Sequence, residues 1–336
     1  MQFLLNLFIF LIILFIYIHL VAQFKKSQDL EIYEMDYKDN AHLQEVCDMK
    51  QPVLFEFESV QPGLFNSLDY PSLHDAPNFD VKLKDTYDYF GGVGVGSSVS
   101  YIVLPFQSAF KLIDTDVNKH FMIEGNNDYV EESPYYDIYR SCDAHFKPAF
   151  TGQTKYDLCF GSRGTYTPMR YHTCYRQFLS VNSGKIHVKM TPWRSYKYLH
   201  PYHDYEEYEF VSPVDPWAPQ AEYVSDYQKV KFLEFQVSKG FVLYVPPYWF
   251  YSIKYEEDTV CSGFIYNSVM NMVSNVPHYA RYYLQQGVKK KVLKQLDNKY
   301  TASDVYVYDK ADINSGPIIE ETQQSSMVDS LLNKNI

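Results

Sequence analysis

The chain has 336 residues and is 46% apolar, long enough to bury one large core or two ordinary ones. Its formal net charge of −11 argues against a nucleic-acid partner, which would need a basic face for phosphates. The five cysteines, Cys47, Cys142, Cys159, Cys174 and Cys261, are an odd set without a CxxC pair, so neither a disulfide framework nor a cysteine-based zinc site is indicated.

Residues 3–22, FLLNLFIFLIILFIYIHLVA, carry no charge and are long enough to span a bilayer as a helix. A cleaved signal peptide would need a basic leader and a shorter apolar stretch, so residues 1–24 read as a retained anchor. Lys25 and Lys26 follow the span and no basic residue precedes it, which places the bulk of the chain on the cytosolic side. Residues 25–38 are polar and acidic and read as a juxtamembrane linker. DNAHLQEVCDM, 39–49, reads as a short helix capped by Asp39 or Asn40. QPVLFEF, 51–57, alternates as a strand. The glycine run 91–98 fits neither phosphate-loop spacing and reads as a turn before the strand VSYIVLPF. Residues 106–150 read as helical and loop insertions.

From residue 155 the pattern turns to β: KYDLCFG, TPMRYHTCYRQFLSV, KIHVKMTP, VKFLEFQVS, GFVLYVPP, FYSIKYE and TVCSGFIYN are short runs rich in aromatic and β-branched residues. Asn182-Ser183-Gly184 has the composition of a tight hairpin turn. Short strands at this spacing suggest a sandwich or barrel. Pro246 and Pro247 lack amide donors, so the chain must bend after GFVLYV and aim Trp249, Phe250 and Tyr251 elsewhere. Residues 274–296 read as a helix, with Lys289, Lys290 and Lys291 as a solvated face. Residues 299–336 lack periodicity and read as a loosely ordered tail.

Three segments, GTYTPMRYHTCYRQFLSVNSGKIHVKMTP (164–192), YLHPYH (198–203) and GFVLYVPPYWFYSI (240–253), resemble the cupin-like JmjC family. The factor-inhibiting-HIF type of asparaginyl hydroxylase is the nearest relative by motif order. The resemblance implies a double-stranded β-helix over residues 39–298, with its barrel core in 155–268. It also implies a site that uses Fe(II), 2-oxoglutarate and O₂. In the family two histidines and a carboxylate hold the metal and leave positions open for the oxoacid and oxygen.

All three ligand positions differ here. Arg170 stands for the first histidine, His172 for the carboxylate and Tyr251 for the distal histidine. A guanidinium cannot ligate, because it stays protonated and offers no lone pair. Thr167 and Lys185 match the family's 2-oxoglutarate contacts, and Arg176 a position that lines the site. If Arg170, His172, Arg176 and Tyr251 all point inward, the pocket is cationic without metal and suits a small dianion. The competing expectations are that Arg170 pairs with an acidic neighbour such as Glu234, that His172 is a satisfied core residue, and that Lys185 faces solvent. His187, His200 and His203 show no spacing that supports a new metal set. The expected protein is therefore a membrane-anchored, non-catalytic module with no metal and no cofactor, which binds a dianion or a protein partner. The alternative is an active hydroxylase or demethylase with an atypical metal site. Composition and the anchor also suit a membrane component of a large DNA virus or its host.

Overall fold

A computed structural model describes residues 2–90, 99 and 101–288. The expected tail, the glycine run 91–98 and Lys289–Lys291 lie outside them. Fifteen strands occupy the described residues: β1 (Tyr33–Met35), β2 (Val53–Glu56), β3 (Asp80–Asp85), β4 (Tyr101–Pro105), β5 (Phe121–Ile123), β6 (Thr151–Gly161), β7 (Arg170–Tyr171), β8 (Arg176–Ser183), β9 (Lys185–Thr191), β10 (Tyr202–Asp204), β11 (Glu209–Val211), β12 (Leu233–Ser238), β13 (Phe241–Val245), β14 (Phe250–Tyr255) and β15 (Val260–Ser268).

They form two sheets. A nine-stranded sheet runs β1-β2-β13-β8-β15-β6-β5-β3-β4, and a six-stranded sheet runs β10-β11-β7-β14-β9-β12. Among the described residues only β1 and β2 pair in parallel. Sequence neighbours β8 and β9 lie in different sheets, as do β13 and β14. This alternation between two facing sheets is the mainly-β, double-sheet architecture expected from the strand pattern.

It also corrects one local expectation. Asn182-Ser183-Gly184 is not a hairpin turn but a corner where the chain crosses between sheets. The Asn182 side chain is buried and donates to Ser262 Oγ at 2.6 Å, which ties the corner to β15. Gly184 takes φ 65°, and a Cβ there would stand 2.5 Å from Thr259 Oγ1. The proline bend is the matching corner between β13 and β14. Trp249 is buried there, and its indole donates to the Lys50 carbonyl at 3.1 Å.

Strand alternation splits the core in two. Leu179, Val181, Leu243 and Val245 face Val188, Met190 and Ile253 between the sheets. On the other face of the large sheet, Phe178, Tyr244, Phe264 and Tyr266 pack under helices Asn40–Cys47 and Tyr136–Phe146. The first of these helices is capped as expected, with the Asp39 carboxylate accepting the His42 amide at 2.8 Å. Helix Gln2–Gln23 is, among the described residues, the one long and apolar enough to cross a membrane. The expected linker 25–38 is in fact ordered against the domain, because Tyr33–Met35 adds as β1 beside β2. Of the helix expected over 274–296, the described part is Val276–Val288, with Pro277 in its first turn, and a separate short helix, Val269–Ser274, precedes it.

Candidate functional site

Arg170 opens β7 in the six-stranded sheet. Its guanidinium reaches across to Glu124, just past β5 in the nine-stranded sheet. The pair is bidentate, with Nη1 to Oε1 at 2.7 Å and Nη2 to Oε2 at 2.6 Å. Lys84 of β3 lies 3.4 Å from Glu124 and 2.5 Å from Glu209 of β11. Glu209 also accepts the Tyr89 hydroxyl at 3.0 Å and stands 3.9 Å from Arg170. Two cations and two anions are thus enclosed together, and the cluster is formally neutral. Lys84 and Glu124 come from the large sheet, and Arg170 and Glu209 from the small one.

The electrostatics follow from this enclosure. Burial alone would raise the pKa of Glu124, but Arg170 and Lys84 outweigh it and hold the carboxyl well below its usual range. Burial opposes the charge of Lys84 and of Arg170, yet the facing carboxylates raise both well above their ordinary values. Arg170, Lys84 and Glu124 therefore stay charged at neutral pH. A two-pronged pairing of this kind needs the fork of arginine rather than the point charge of lysine.

His172 is buried, and its Nε2 donates to the Val245 carbonyl at 3.0 Å. Its Nδ1 makes no well-formed hydrogen bond, although the Cys174 backbone stands near enough to favour the charged ring slightly. Burial, with Lys50 and Arg170 nearby, pushes the imidazole down to about 4, so the ring is neutral. Tyr251 is buried beside it, with ring centroids 6.2 Å apart, and its hydroxyl accepts from Gln177 Nε2 at 3.0 Å. Burial raises the phenol pKa, so no phenolate is present to bind a metal. Arg170 lies over the same ring, 5.5 Å from its centre.

Arg170, His172 and Tyr251 therefore share one mouth of the barrel, while the other three candidates are placed elsewhere. Arg176 was expected inward, but it points to the opposite face of the large sheet. There it is fully buried, bonds Gln44 Oε1 at 2.9 Å and Asp48 at 2.5 Å, and lies over Tyr175. Alternation along β8 sends Arg176 and Phe178 outward and Gln177 and Leu179 inward. Lys185 is exposed at the start of β9, because Ile186, Val188 and Met190 take the inward positions. Thr167 is buried, but its hydroxyl accepts the Ile253 amide at 2.9 Å and so serves the pairing with β14. The expected cationic pocket is replaced by a neutral cluster, because both prongs of Arg170 are already taken by the Glu124 carboxylate.

The acidic partner is Glu124 rather than Glu234. Glu234 sits opposite Lys189 on β12 and pairs with it at 3.1 Å. His187 contacts Glu256, His200 bonds Asp226 at 2.8 Å and His203 bonds the Tyr171 hydroxyl at 2.8 Å. Among the described residues no three His, Cys, Asp or Glu side chains stand together as a metal-binding group. The iron of the resembled JmjC-type site would require three fixed donors around an open coordination sphere. A protonated guanidinium, an imidazole bonded through Nε2 and a neutral phenol do not fit it.

Sequence reasoning missed Lys84, Glu124, Glu209 and Gln177. The first three sit outside the motif that carries the resemblance, and short strands β3, β5 and β11 give little periodic signal. A family model described as a cupin-like domain matches residues 104–272. A search of curated proteins found no match.

Proposed function

The chain belongs to the cupin-like domain family, and on that premise we propose that it is a membrane-anchored, non-catalytic member: a JmjC-type barrel in which an ion cluster stands where the metal would be. The observation that carries this reading is the bidentate Arg170–Glu124 pair at the first ligand position. It occupies the mouth of the barrel and joins the two sheets there, the place a metal with its cosubstrate would hold. The helix Gln2–Gln23 would fix the module to a bilayer, with Lys25 and Lys26 favouring a cytosolic domain. Its role would then be structural or adaptor-like, exercised through its surface.

The test uses the full chain in detergent or nanodiscs. Fe(II) and 2-oxoglutarate are titrated anaerobically by calorimetry, and succinate is measured after air is admitted. The expected result is no metal-dependent binding of 2-oxoglutarate and no succinate. Tight metal-dependent binding followed by succinate release would establish the oxygenase instead. Binding of 2-oxoglutarate without metal, abolished by Arg170→Ala, would restore the dianion pocket.

A further inference from the structure

The anchor is followed by no slack. The Phe24 and Lys25 amides continue its last turn by donating hydrogen bonds to the Val21 and Ala22 carbonyls. Lys26 Nζ then sits 3.5 Å from the centre of the Trp193 ring and 4.5 Å from that of Tyr248. Gln28 accepts the Arg194 amide at 3.0 Å, and from Tyr33 the chain is part of the sheet. A helix of 22 residues is about 33 Å long, close to the thickness of the hydrocarbon layer. When it spans, the domain surface beside its C-terminal end is brought to the lipid headgroups.

That surface is apolar. Along Gln2–Gln23 the positions that are partly buried are Leu20 and Gln23, one turn apart at the C-terminal end. The neighbour of this helix in the domain is Val269–Ser274. Val269 and Val273, one turn apart there, are 51% and 47% exposed, and Val276 at the start of the next helix is 54% exposed. The Val269 amide bonds the carbonyl of Phe150, whose ring is 87% exposed on a backbone at φ 57°. Such a φ is unfavourable for a non-glycine residue. Ala280 and Leu284 extend the stripe at helical spacing, and between 269 and 285 the sequence carries a single charge, Arg281. Isolated exposed apolar residues are ordinary, but a contiguous strip needs a cover.

We propose that the bilayer that holds the anchor is that cover. Phe150, Val269, Val273 and Val276 dip into the interface and fix the orientation of the domain on the membrane. This inference rests on the helix spanning the bilayer, and the experiment reads the two separately. The full chain is placed in nanodiscs containing a phospholipid with a photoactivatable diazirine, and adducts are mapped by mass spectrometry. Adducts are expected on residues 2–22, which report the span, and also on Phe150, Val269, Val273 and Val276. In the Phe150→Glu/Val273→Glu variant, adducts on the stripe should fall about tenfold while those on the helix persist. Adducts on the helix with an unlabelled stripe would overturn the docked face and leave the anchor standing. A stripe shielded by a second copy, seen as chain-to-chain cross-links in place of lipid adducts, would overturn it as well. Loss of adducts on the helix itself would remove the anchor and the inference together.

Discussion

Arg170 and Glu124 are each costly to enclose, and each is tolerable because the other is present. Removing one partner of a buried pair leaves an uncompensated charge and typically costs about 3–5 kcal/mol, whereas replacing both can be nearly neutral. Arg170→Met should therefore destabilise the protein by about that amount in denaturant unfolding, and Arg170→Met with Glu124→Gln by clearly less than the sum of the singles. Additive losses would show that the two side chains do not form a unit. His172 has the opposite character, because it is buried neutral. Its folded pKa of about 4 lies below the ordinary value near 6.5. As pH falls through this window the unfolded chain takes up a proton that the folded chain refuses. Stability present above about pH 6.5 is thus lost progressively toward pH 4, by about 3 kcal/mol for this residue. Burial lowers His145, His203 and His278 in the same direction. The measurement is therefore the difference between wild type and His172→Asn, and the variant should show the shallower slope of unfolding free energy with pH between 4 and 6.5.

At the scale of elements, the two corners between sheets matter more than any single strand. Gly184 holds one of them with φ 65°, where an added Cβ would also stand 2.8 Å from the Glu257 carbonyl. Gly184→Ala should cost about 2 kcal/mol or more, from strain and from displacement of Thr259. Gly63→Ala is the control: nothing lies within 4 Å of the added atom, and its effect should be small or stabilising. Equal effects at both positions would mean that the corner is not constrained. These corners also show how far the sequence could be read. The long central strands and the proline bend were legible, because alternation and missing amide donors are local facts. The meaning of Asn182-Ser183-Gly184 was not, since a hairpin turn and a corner between sheets share their composition and differ only in what the next strand pairs with. Arg176 failed for a similar reason. Its place one register step from Gln177 reverses its face, and motif alignment does not resolve a single step along a strand. Arg170, His172 and Tyr251 could be singled out by their motif context, whereas the partner that answers Arg170 lies 46 residues upstream on a loop with no pattern of its own.

For the whole molecule, the ion cluster ties the outer strands of the smaller sheet to the larger one. Strands β10, β11 and β7 form a limb that joins β14 at its inner end, through Arg170 opposite Tyr251, a bridge of Tyr166 with Lys254 and the backbone bonds of Thr165 and Thr167 to Tyr255 and Ile253, while β14, β9 and β12 are held by continuous ladders. Lys84 and Glu124 bind this limb to the large sheet from the other side. The barrel is therefore closed at this mouth by charge and at its centre by the apolar layer of Leu179, Val188, Leu243 and Ile253. If so, loss of the cluster opens the limb before it unfolds the barrel. Hydrogen exchange of Arg170→Met should show protection falling on the order of tenfold or more in Arg170–Tyr171, Tyr202–Asp204 and Glu209–Val211, with β6, β8 and β15 changed far less. Of these, β15 lies between β6 and β8 and pairs with both along most of its length, and none of the three carries a member of the cluster. A uniform rise in exchange across both sheets would indicate that the cluster supports global stability alone and does not act as a local clasp between them.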